Sequence, residues 1–164
     1  MLQRIQTVYL MLAFIASALL FTKLPIAVFQ FPDLGEIYFS IVSKYRNPSF
    51  FQDELTHIST LPLILINGAL AILTLIAVFL YRNRPLQYRI TMFAFLINVI
   101  LIIVLFFTAD SMQNKLNSLQ NQLVIQAQYK LGAILPLISL VLLILASKAI
   151  RKDEKLVKAA DRLR

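Results

Sequence analysis

Four stretches of this 164-residue chain contain no Asp, Glu, Lys, Arg or His: Ile5 to Thr22, Ile58 to Tyr81, Ile90 to Ala109 and Leu131 to Ser147. Each is long enough to carry a helix across a hydrocarbon core of about 30 Å, which takes roughly 17–25 residues. Lipid offers backbone N–H and C=O groups no partners, so only helices and closed barrels satisfy them there, and these runs lack the alternation of barrel strands. The sequence therefore predicts an all-α membrane protein with four transmembrane helices at about 5–22, 58–81, 90–109 and 131–147. Composition agrees, because 59% of residues are hydrophobic and 15% charged, against about 25% charged in soluble domains. The first run also carries features of a secretory signal, with Arg4 ahead of it and Ala16-Ser17-Ala18 spaced like a cleavage site. Leu19, Leu20 and Phe21 prolong the apolar run beyond that point, so a retained helix is expected.

The sixteen Lys and Arg residues divide unevenly among the polar segments. Eleven fall in residues 1–4, 82–89 and 148–164, and five in the much longer 23–57 and 110–130. Basic loops stay on the cytoplasmic side, which places both termini and the 82–89 turn in the cytoplasm and the other two segments outside. The 148–164 tail alone holds seven basic residues, each worth roughly 1 kcal/mol near an anionic leaflet. Anionic headgroups at the cytoplasmic face are thus expected partners. No aromatic residue is interleaved with these charges, which argues against nucleic acid as a partner.

In the 23–57 loop, IAVFQF and EIYFSIVS are β-branched and aromatic, and PDLG between them has turn chemistry. A small β-hairpin is expected there. Ser49 and Gln52 have capping-box spacing, which predicts a short helix from Ser49 to about His57. In the 110–130 segment, Met112, Leu116, Leu119 and Leu123 recur with helical period, so this segment is read as helix continuing from the third span. The tail holds neither Gly nor Pro after Ser147, and it should prolong the fourth helix.

Chemistry inside a membrane usually needs ionisable residues within the spans, and the four runs have none. Asn67 and Asn98 are read as helix-packing polar residues, with solute contact as the alternative. Gly68, in GALA, would allow close helix approach, and Pro136 would locally free the last helix. Asp53, Glu54 and His57 could share a helix face, but one His and two carboxylates are an incomplete ligand set. No cofactor, metal or catalytic residue is assigned.

The opening MLQRIQTVYLMLA, the stretch YKLGAILPLISLVLLILASKAIRKDEKLV and the closing DRLR resemble an uncharacterised family of small four-span inner-membrane proteins from one phylum of Gram-negative bacteria. The resemblance implies topology and location in the bacterial inner membrane, and no activity. A non-enzymatic scaffold or accessory subunit of a larger membrane assembly is the expected function, paired with a membrane-protein partner or a second copy. A transport or solute-conducting component is the alternative, and a membrane enzyme a remote one. Lys155, Lys158, Asp161, Arg162 and Arg164 are the candidate partner or lipid contacts. The outermost three lie roughly 21–26 Å along the helix from Ser147, beyond a Debye length of about 8 Å.

Overall fold

The computed structural model describes residues 3–31, 35–42, 44–47, 59–81, 83–119 and 126–162. Four helices, α1 (Gln3–Leu19), α2 (Leu61–Phe79), α3 (Arg84–Leu119) and α4 (Leu131–Arg162), account for most of the chain. Strands β1 (Ala27–Phe31), β2 (Gly35–Phe39) and β3 (Lys44–Asn47) lie between α1 and α2, and β4 (Ala127–Tyr129) between α3 and α4. Pro62 sits in the first turn of α2, where its missing N–H forfeits no helical bond. Three helices, α2, α3 and α4, are long and apolar enough to cross a membrane. The fourth, α1, is a shorter apolar helix of 17 residues, about 25 Å.

Each helix packs on two neighbours, so that α1, α2, α3 and α4 close a ring. Leu10, Ala13, Leu70, Leu101, Leu105 and Leu143 fill its centre. The exterior of the bundle is apolar as well as its interior, which also holds polar side chains. Val8, Ile15, Leu65, Ile72, Phe93 and Phe107 face outward, while Gln6, Asn67, Gln87 and Asn98 are buried. An apolar exterior of this extent suits contact with lipid.

The two longest helices overshoot the bundle at opposite ends. The 36 residues of α3 project at the end that carries the strands, and the 32 residues of α4 project at the other. The strands form one antiparallel sheet in the order β3-β2-β1-β4. β1 and β2 pair from Ala27↔Phe39 to Phe31↔Gly35, as a hairpin requires. Its turn, residues 32–34, lies outside the described residues, as does the short helix expected over Ser49–His57. The sheet is larger than a hairpin because β3 joins one side and β4 the other. β4 stands within the segment read as helical, since α3 ends at Leu119 and Ala127–Tyr129 is extended.

Ala27, Phe29, Ile37 and Phe39 alternate onto one face of the sheet and share a core cluster with Ala109, Met112 and Leu116 of α3. The overshoot of α3 is thus the platform for a sheet that two strands alone would leave marginal in water. At the start of α4, the Lys130 N–H donates to the Ile26 carbonyl at 2.9 Å and the Gly132 N–H to the Pro25 carbonyl at 3.1 Å. A Cβ at position 132 would lie 2.7 Å from the Pro25 oxygen, so only glycine allows this approach. Gly68 is under no such demand, because a Cβ there would meet only the Phe21 ring, at 3.9 Å.

Candidate functional site

Asn67 and Asn98 are fully buried, and each ties two helices together. The Asn67 side-chain Nδ2 donates to the Ser17 carbonyl at 3.0 Å, holding α2 on α1. Asn98 Nδ2 donates to the Pro136 carbonyl at 3.1 Å, holding α3 on α4. Their common depth follows from a third bond, in which Gln87 Nε2 donates to the Ala77 carbonyl at 3.0 Å. Asn67 is ten residues along α2 from Ala77 and Asn98 eleven along α3 from Gln87, so both lie about 15–16 Å toward the sheet end. Ser139, also buried, follows Pro136 by one turn. All four helices therefore contribute to one polar layer. Asn67 Oδ1, Asn98 Oδ1 and Ser139 Oγ have no hydrogen-bond partner in it.

A second layer lies nearer the tail end. Gln6 precedes Ser17 by eleven residues on α1, which brings it level with Gln87. Both are buried, and Gln6 Nε2, Gln6 Oε1 and Gln87 Oε1 are unpartnered. Thr91, one turn on, donates its hydroxyl to the Gln87 carbonyl at 2.8 Å. Sequence reasoning missed this layer. Gln6 is uncharged and lies in the opening MLQRIQTVYLMLA that carries the family resemblance, with no packing role legible in it, and Gln87 lies in the short 82–89 loop between two uncharged runs. The signal was present nevertheless, because Gln87, Thr91, Ala94, Asn98 and Leu101 follow i, i+4, i+7, i+11 and i+14, and all five are buried.

Beyond that layer α4 is clasped to the start of α3. Arg84 Nη2 lies 3.9 Å from Asp153 Oδ2, and Arg84 Nη1 donates to the Asp153 carbonyl at 3.3 Å. One turn away, Arg151 donates to the Tyr88 hydroxyl and sets its guanidinium 4.6 Å from the ring centroid. Past the clasp the bundle ends. Val157 follows Asp153 by one turn on the same side of α4 and is 42% exposed. Lys155 and Leu156 are exposed too, and the helix continues to Arg162, as the absence of breakers predicts. Lys158, Asp161 and Arg162 therefore ride on helical backbone, whereas Arg164 lies outside the described residues.

At the far end, the solvent face of the sheet carries a chain of polar contacts. Gln128 donates to Gln30 at 2.9 Å, Gln30 donates to Glu36 at 2.9 Å, and Tyr38 donates its hydroxyl to the other Glu36 oxygen. The Tyr38 hydroxyl, then the Gln30 amide and the charge of Lys130, hold the Glu36 carboxyl below its ordinary range. Asp53, Glu54 and His57 lie outside the described residues. Among the described residues no group of three or more His, Cys, Asp or Glu could hold a metal ion.

No curated protein and no solved structure matches the chain. A family does, and it is uncharacterised, as the motifs at the two ends of the sequence imply. Residues 2–163 match the domain of unknown function DUF4293, and the chain belongs to that family.

Proposed function

We propose that this chain is a four-span protein of the bacterial inner membrane, with both termini cytoplasmic, that serves as a non-enzymatic scaffold or accessory subunit of a larger membrane assembly. The fourth span is α1. Its about 25 Å come close to the hydrocarbon thickness, and Ile5, Val8, Leu12, Ile15 and Leu19 give it an exposed apolar face like those of its neighbours. The excess of basic residues at the tail end sets the orientation.

The observation that carries the scaffold reading is the form of α4. Its base is held by Arg84 and Tyr88, and its distal turns leave the bundle with Leu156 and Val157 uncovered. An arm rooted in a packed membrane bundle offers a partner a surface whose ordering cost is already met. Lys158, Asp161 and Arg162 follow on helical backbone more than a Debye length of about 8 Å along α4 from Ser147, and with Arg164 they are the proposed protein contacts. The test is purification of the full chain in gentle detergent, followed by mass spectrometry. A stoichiometric membrane-protein companion, or a second copy, should be recovered, and deletion of residues 159–164 should weaken that recovery while leaving insertion intact. Recovery of monomer alone from both chains would rule the reading out.

A second reading, a solute-conducting component, draws support from one observation. Asn67 Oδ1, Asn98 Oδ1 and Ser139 Oγ are unpartnered in a layer to which every helix contributes. It ranks second because both Asn residues are wholly shielded and their amide nitrogens are already engaged by backbone carbonyls. Flux of a solute in reconstituted vesicles, abolished by Asn98→Leu, would reverse that order.

A further inference from the structure

Along α4, Lys148, Arg151, Lys152 and Lys155 are spaced i, i+3, i+4 and i+7, so all four share one helix face. All four are exposed. Ile134, Leu137, Val141 and Leu145 precede Lys148 by 14, 11, 7 and 3 residues, and they are exposed on the same face. The opposite face, Leu143, Ala146, Ile150 and Asp153, is buried in the bundle. A single outward stripe therefore changes from apolar to cationic at Lys148. Counted from Leu131, about 20 residues cross the hydrocarbon core, which brings this change to the boundary between acyl chains and headgroups. The four cations then extend about 10 Å farther, a distance similar to the headgroup layer.

Two acidic residues fall in these turns, and Glu154 is half-buried at the flank of the face, one turn from Arg151, so four cations meet one flanking carboxylate. Asp153 points inward, with its Oδ2 3.9 Å from Arg84 Nη2 and without a hydrogen-bond partner. Arg151 is held in place by the Tyr88 ring and hydroxyl, so its planar guanidinium is oriented before any ligand arrives. We infer that this face is a binding site for the phosphate of an anionic phospholipid of the cytoplasmic leaflet, whose acyl chains lie along Ile134, Leu137, Val141 and Leu145. Charge complementarity selects the headgroup, and continuity with the apolar stripe selects a lipid over a free anion. Arg151 gives the phosphodiester a paired N–H contact, and the three lysines gather charge around it. The site rests on the four-span reading above, and it divides the tail into a proximal lipid face and a distal segment left for protein.

The test uses the full chain in nanodiscs of equal phosphatidylcholine and phosphatidylglycerol, with the retained lipid counted by native mass spectrometry. Wild type should retain phosphatidylglycerol in preference. Joint substitution of Lys148, Lys152 and Lys155 by Gln should erase that preference, each lost charge weakening it by about fivefold at low salt and less in high salt. Replacing the same residues by Arg should preserve it. Joint substitution of Lys158, Arg162 and Arg164 by Gln removes as many charges and should leave it unchanged. Equal phosphatidylglycerol retention in the wild-type and proximal Gln proteins would overturn the assignment, as would equal loss from the proximal and distal sets. Loss of a co-purifying protein from the proximal Gln variant, with lipid retention intact, would overturn it in favour of a protein contact. Both leaflets of the disc have the same composition, so this readout is independent of orientation. Orientation is read separately, by the labelling experiment described below.

Discussion

Asn98 is a buried polar residue inside an apolar helical bundle. Its amide nitrogen makes one bond to the Pro136 carbonyl while its oxygen makes none. Interhelical bonds of this kind average about 0.6 kcal/mol, and an unpartnered buried oxygen opposes that gain. Asn98→Leu should therefore change stability by less than about 1 kcal/mol, read by steric trapping or unfolding in mixed micelles. Glu36 supports a pH prediction at the same scale. Its carboxyl is held below the ordinary range by Tyr38, Gln30 and Lys130, so its contribution to the folded state is present above the unfolded pKa and is lost as pH falls through the lower folded one. A carboxyl titration followed by NMR should give a midpoint below that of an unperturbed glutamate, and Tyr38→Phe should move it back up. A midpoint unaffected by Tyr38→Phe would mean that the hydroxyl contact does not persist in solution.

Among the elements, the start of α4 is the tightest joint. The Pro25 carbonyl both accepts from the Gly132 N–H and occupies the space a side chain would need. Overpacking against backbone costs about 1–3 kcal/mol, so Gly132→Ala should destabilise the fold by that amount and loosen the sheet from the bundle. Gly68→Ala should be neutral or up to about 1 kcal/mol stabilising, because the new methyl meets only the Phe21 ring and alanine favours helix. Thermal unfolding of the two variants side by side checks the contrast. At the other end of α4, Asp153→Ala removes the carboxylate facing Arg84. The Arg84 hydrogen bond runs to the Asp153 carbonyl and survives the substitution, so the expected cost is under about 1 kcal/mol and felt locally, with faster hydrogen exchange over residues 154–162 and no change in α1 or α2.

At the scale of the whole molecule, the offset between α3 and α4 gives the protein two unlike ends. α3 carries a sheet on one side of the bundle and α4 carries a charged arm on the other. Cysteine introduced at Asn83 and at Gln126, both exposed in this Cys-free chain, tests the proposed threading. An impermeant thiol reagent applied to intact spheroplasts should modify position 126 and spare position 83. The reverse pattern would place the sheet in the cytoplasm and invert the topology.

The sequence by itself determined the helices and their order. Uncharged runs of suitable length leave the backbone few other ways to satisfy its polar groups, and the basic residues flanking them mark the two ends. The strands β1 and β2 were legible in IAVFQF and EIYFSIVS for a similarly local reason, β-branched and aromatic residues on either side of the turn-forming PDLG. What only the tertiary structure decided depends on residues far apart in the chain. β4 is three residues long and polar, and it is a strand because Ala27, Val28 and Phe29 offer an open edge about a hundred positions away. Gly132 reads as an ordinary helix glycine until the Pro25 carbonyl is placed against it. Of the buried and half-buried polar residues, Asn67 and Asn98 were legible as packing residues, whereas Gln6, Gln87, Arg84 and Asp153 were not. Their depths become matched, and Arg84 meets Asp153, only once the four helices have settled into one register. That register is set by side-chain packing between helices, which no local pattern encodes.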